Sequence, residues 1–175
     1  MSRMKQSKLA SICQAGVLLS LVLAGRECIS QAPTEPSQTK AAATPEFQGF
    51  RVELTLSDNA SKTLIARSET IVVVGYLSGS PKPGTPRRYV DEMGQVSLGE
   101  IKKEIAPGQT AAFGSFKIDR PGLKWIDNQG LQLLINVYSG RKSSPDNLLD
   151  CGIYEGPLKD VQGKSIPVSC KLIGE

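Results

Sequence analysis

The sequence predicts an all-β fold: a single antiparallel β-sandwich of about seven to nine short strands, preceded by a signal peptide and a disordered linker. Three observations predict it. Short apolar runs recur between turn signals at intervals of about ten residues. No long stretch carries a helical period, and no segment repeats. Two late cysteines, Cys151 and Cys170, fall on predicted strands and suit a disulfide. The boundaries read as 1–30 for the signal peptide, 31–46 for the linker and 47–175 for the sandwich domain.

Residues 3–8 carry Arg3, Lys5 and Lys8, and residues 9–25 (LASICQAGVLLSLVLAG) carry no charge. That is the basic start and apolar run of an export signal. Ser11, Gln14 and Ser20 interrupt it, so it falls short of the roughly 20 apolar residues of a membrane span. Val22 and Ala24 suit cleavage after Ala24; Ser30 and Ala32 suit a later cut, which Pro33 disfavours. Cys28 is a candidate lipidation site, with Leu23-Ala24-Gly25 resembling the start of a lipoprotein box two residues too early. Residues 31–46 (QAPTEPSQTKAAATPE) hold three prolines and almost no large apolar side chain, and read as a tether.

Phe50, Val52, Leu54 and Leu56 alternate with polar residues, as on a half-buried strand. Residues 60–67 suit a short helical turn or a loop. Residues 70–77 (TIVVVGYL) read as a strand buried on both faces. Residues 78–88 (SGSPKPGTPRR) form a Pro/Gly loop. Short strands follow at 96–98, 100–105 and 110–118, separated by turns such as Pro107-Gly108. The strongest central strand is 131–138 (LQLLINVY), and strands at 148–154 and 165–172 close the chain.

The composition narrows the chemistry. The 175 residues are 39% apolar and 22% charged, which suits a soluble globular chain. There is no histidine, which removes Ser-His-Asp triads, Cys-His pairs and His-ligated zinc. Without Arg3, Lys5 and Lys8 the formal charge falls from +4 to +1. A nucleic-acid binder needs a basic face, and no run of residues supplies one: Arg87-Arg88, Lys102-Lys103 and Arg141-Lys142 are isolated pairs. Export makes a Cys151–Cys170 disulfide the expected state, worth about 3 kcal/mol by the chain-entropy argument.

Short motif matches fail on mechanism. Residues 79–85 (GSPKPGT) imitate a phosphate loop, but Thr85 replaces the lysine, and Pro81 and Pro83 remove backbone donors. Ser139-Gly140-Arg141-Lys142 matches S-x-x-K and Ser57-Asp58-Asn59 matches S-D-N, in reversed order and without K-T-G. Asp91 and Glu92 are adjacent, so on a strand they face opposite ways. No catalytic, cofactor-binding or metal-binding residue is expected, and no cofactor.

The most distinctive segment is 136–154 (NVYSGRKSSPDNLLDCGIY). A strong strand enters a basic, polar loop and returns carrying Cys151. It reads either as a hairpin with a solvated loop or as a recognition loop on a rigid scaffold. Arg141 and Lys142 are the first candidate partner-binding residues; Lys82, Arg87 and Arg88 in the 79–88 loop are the second set.

The stretches ETIVVVGYLSG, DEMGQVSLGE, IAPGQ, INVYSGRKSSPDNLLDC and CKLIGE resemble those of small exported proteobacterial proteins without assigned activity, over roughly 47–175. The resemblance implies a compact β domain in the cell envelope and brings no catalytic residues with it. Leu98-Gly99 and Pro107-Gly108 are similar to the strand–LG–PG progression of the outer-membrane lipoprotein of type VI secretion systems, which implies a transthyretin-like sandwich.

The expected function is that of a non-enzymatic protein exported to the periplasm, acting through surface loops. Its partner would be an unidentified protein or envelope component, without nucleic acid, and with membrane contact only through a lipid anchor at Cys28. The alternatives are an inhibitor or immunity-type periplasmic protein and a secretion-assembly component.

Overall fold

The computed structural model describes residues 44–175. The expected signal peptide, its cleavage site, Cys28 and the linker up to residue 43 lie outside them. The described chain is all-β, with ten strands in three sheets and two short helices. One four-stranded sheet has the order β5(Ala111–Phe113), β2(Phe50–Leu56), β10(Ser165–Leu172), β8(Leu149–Cys151). The other has the order β4(Val96–Ile105), β3(Ile71–Gly79), β7(Gln132–Ser139), β9(Tyr154–Pro157). β1(Glu46–Phe47) and β6(Phe116–Lys117) form a small third sheet. α1 is Asp58–Ala66 and α2 is Leu158–Val161.

The inner faces of the two large sheets meet in one apolar cluster. Val52, Ile166 and Val168 come from one sheet; Ile71, Val73, Leu133, Ile135 and Val137 come from the other. Alternation on β2 supplies one side of this layer, as the sequence pattern requires. β3 is the central strand of its sheet, paired with β4 and β7 along its length. Its outward residues Val72 and Val74 are buried as well, flanked in register by Lys102, Glu104, Asn136 and Tyr138. The expectation of burial on both faces therefore holds, without a helix covering the sheet.

Several predicted segments divide or join. Residues 96–105 form one strand rather than two. Leu98 is an extra residue opposite the Leu77/Ser78 step, and Gly99 takes φ +95° to make the bulge. Residues 110–118 split at Gly114-Ser115 into β5 and β6. Residues 148–154 split at Gly152-Ile153, where the chain crosses from the β10 sheet to the β7 sheet. Every ladder is antiparallel except β2–β10, the first and last strands of the large sheet, which run parallel from Ser165↔Arg51 to Cys170↔Leu56.

The disulfide forms as expected. Cys151 on β8 and Cys170 on β10 are register partners, with Cα atoms 4.0 Å apart and their sulfurs bonded. The bridge fastens a three-residue edge strand to the last strand of the chain. Among the described residues, no helix is long and apolar enough to cross a membrane.

Residues 60–67, a short helical turn or a loop by sequence, fall almost wholly within α1, which starts earlier at Asp58. The Ser57 hydroxyl accepts the Ala60 amide at 3.1 Å and caps it. Ala60 and Leu64, one turn apart, bury its inner stripe. Its exit is a Schellman turn: the Ser68 amide bonds Ile65 O at 3.0 Å and the Glu69 amide bonds Leu64 O at 2.8 Å. Ser68 takes φ +51° at the position glycine usually fills.

Candidate functional site

The turn out of α1 delivers Glu69 into the domain beside the start of β3. Its side chain is 2% exposed, a rare condition for a carboxylate. Four donors surround it. The Thr70 amide lies 3.0 Å from Oε1 and the Lys142 amide also 3.0 Å from Oε1. The Ser143 amide and hydroxyl lie 2.7 and 2.6 Å from Oε2. Burial alone would raise the carboxyl pKa. The bonds from Ser143, Lys142 and Thr70 outweigh it and hold the pKa at about 2.

Three of those donors belong to the loop after β7. The loop 140–148 is thus wrapped on a buried anion from the same chain. Its two ends are tied as well. The Gly140 amide bonds Thr70 O at 2.7 Å. Ser139, fully buried, accepts the Leu148 amide on its hydroxyl at 2.9 Å, and its own amide donates to Asn147 Oδ1 at 2.9 Å. The loop leads from β7 to β8, which lie in different sheets. It is a sheet-to-sheet crossover rather than a hairpin.

Arg141 lies between the bonded amides of Gly140 and Lys142 with φ +58°. Arg141 and Ser68 are the two non-glycine residues with positive φ among the described residues, and both adjoin the Glu69 cluster. The left-handed conformation costs an ordinary side chain about 1 kcal/mol, so it persists where surrounding bonds impose it. The Arg141 guanidinium lies 5.9 Å from the centroid of the Tyr138 ring and is exposed to solvent. Lys142 is engaged differently. Its ammonium pairs with Glu104 at 2.9 Å, and the Thr70 hydroxyl donates to the same carboxylate oxygen at 2.5 Å. These bonds from Thr70 and Lys142 lower the Glu104 pKa. Ser139 and Lys142 of the S-x-x-K match are therefore both committed to structural partners.

The second predicted set lies elsewhere. β3 and β7 run antiparallel, with Ile71 opposite Ser139 at one end and Ser78 opposite Gln132 at the other. Loop 140–148 leaves the first end and loop 80–95 leaves the second, about 27 Å away along nine strand residues. The two sets of candidates do not form one surface.

Loop 80–95 is joined to loop 118–131. The Lys82 amide bonds Trp125 O at 2.8 Å and the Asp127 amide bonds Ser80 O at 2.9 Å. Lys82 Nζ donates to Lys124 O at 2.9 Å, which commits it to the junction. Arg88 lies 4.8 Å from the Tyr89 ring, Tyr89 lies 5.9 Å from Trp125, and Lys124 lies 5.4 Å from Trp125. Arg87 is exposed beside them. At the same end a cavity of about 340 Å³ is walled by Phe47, Leu123, Ile126, Leu131 and Leu158, with Asp127 and Lys159 also lining it.

No family model, curated protein or solved structure matches this chain.

Glu69 was not among the sequence candidates. Three of its four donors lie 73 and 74 residues further along, so no local pattern marks it. The usable signal is an acidic residue placed directly before the most apolar strand, where a charge needs a partner.

Proposed function

We propose that the chain is a non-enzymatic binding module of the cell envelope, exported to the periplasm, which grips an acidic surface of a partner through Arg141. The observation that carries this reading is the conformation of Arg141 itself. A buried carboxylate with four donors holds an arginine in left-handed backbone and presents its guanidinium on Tyr138. Glycine at 141 would satisfy the same backbone at lower cost. An exposed arginine there, in place of glycine, favours a use for its charge. The disulfide suits an oxidising compartment. Pre-organised loops lose little entropy on binding, which supports affinity from a small contact.

A photo-crosslinking amino acid at Ser144 in living cells tests this. The expected result is a discrete adduct in the envelope fraction that disappears in Arg141→Glu. A cytoplasmic chain, or an adduct unchanged by Arg141→Glu, refutes the proposal.

A further inference from the structure

The end of the domain opposite Arg141 concentrates cations on aromatic rings. Arg88, Tyr89, Trp125 and Lys124 form a continuous row, each within 6 Å of the next by ring or charge centre. Arg87 extends it, and Arg120 borders both adjoining clefts. Acidic residues are present here too, Glu92 and Asp119 among them, and two others are turned to the backbone. Asp91 accepts the Met93 and Gln95 amides at 2.9 Å, and Asp127 accepts the Gln129 amide at 2.9 Å. No ion pair joins Arg87, Arg88, Arg120 or Lys124 to a carboxylate among the described residues. Met93, 85% exposed, adds an apolar side chain at the tip of the same loop.

The described chain also begins at this end. Thr44 and Pro45 line one cleft together with Arg120, Leu123 and Lys124.

We infer that this end of the domain docks on the anionic headgroup layer of a membrane. Arg87, Arg88 and Lys124 engage lipid phosphates, and Tyr89 lies at headgroup depth with the half-buried Trp125, its Nε1 turned inward, directly behind it. Cationic side chains beside Tyr and Trp are the combination that such an interface favours. Docking this end turns the Arg141 loop, about 27 Å away, outward. The inference stands apart from the partner proposed for Arg141 and does not depend on it.

Trp125 is the only tryptophan of the chain, so its fluorescence reports this site without a label. The chain without residues 1–24 is titrated with vesicles of phosphatidylethanolamine and phosphatidylglycerol, and with phosphatidylcholine vesicles as reference. Brominated lipids serve as quenchers in both. The expected result is a blue shift and bromine quenching of Trp125 on the anionic vesicles, reversed by added salt. The double substitution Arg87→Glu/Arg88→Glu lowers that response by at least about tenfold. Lys62→Glu/Lys102→Glu, the same change of net charge away from the row, leaves it within about twofold. Absence of quenching, equal quenching on phosphatidylcholine, or equal loss in the two double variants overturns the inference. Circular dichroism confirms that each variant is folded before it is compared.

Discussion

Replacing Glu69 with glutamine removes the charge on which loop 140–148 is wrapped, while keeping the side-chain shape. The magnitude follows from the carboxyl itself. Its pKa falls from the ordinary 4.5 to about 2 in the folded chain. At about 1.4 kcal/mol per pH unit, that difference contributes roughly 3 kcal/mol to folding. The sign is that of a depressed acid. The contribution is complete above the unfolded pKa near 4.5 and is lost as pH falls from there through about 2. Glutamine mimics the protonated form at every pH and turns its amide toward donors that need an acceptor. Urea denaturation of both proteins across a pH series reads this directly. At neutral pH the variant is expected to lose roughly 3 kcal/mol, or about 2 M in urea midpoint for a slope near 1.5 kcal/mol/M. The gap narrows below pH 4.5 and closes near pH 2. A neutral-pH gap under about 1 kcal/mol, or one that persists unchanged into acid, refutes the account of Glu69.

Other consequences are separate. Ser68→Gly places the usual residue in the Schellman turn and is expected to raise stability by about 1 kcal/mol, measured by the same urea titration. Cys151→Ser/Cys170→Ser loses about 3 kcal/mol, and mass spectrometry of the wild-type protein with and without reductant shows the two hydrogens of a single bridge. Gly49→Ala drives a methyl group into the backbone carbonyl of Phe113, so the β2–β5 edge must shift; a fall in thermal midpoint of at least about 4 °C is expected.

Much of the fold was legible because it is written in short-range periodicity. β2 shows the alternation of a half-buried strand, and β3 and β7 are apolar enough to be central. β10 matches its predicted bounds, since Ser165 and Leu172 enclose an uninterrupted alternation. What was missed depends on contacts distant in sequence. A single glycine-containing step, Gly114-Ser115 or Gly152-Ile153, sends consecutive strands to different sheets. The parallel pairing of β2 with β10 joins segments more than a hundred residues apart. Arg141 and Lys142 were legible as a basic pair in a loop, but not the division of roles between them. That division comes from Glu104 reaching Lys142 and from Glu69 fixing the backbone around Arg141. Lys82 is a candidate partner-binding residue by sequence, and its ammonium is bound to Lys124 O. The separation of the two loops follows from the antiparallel register of β3 and β7, which composition does not encode.

One substitution sets stability against use at the centre of the account. Arg141→Gly keeps the backbone that Glu69 requires and deletes only the guanidinium and its strain. Urea stability and in-cell crosslinking from position 144, measured on this one protein, are predicted to move in opposite directions: stability higher by about 1 kcal/mol, and the envelope adduct lost. A variant that keeps the adduct at wild-type yield would contradict the assignment of Arg141 as the gripping residue.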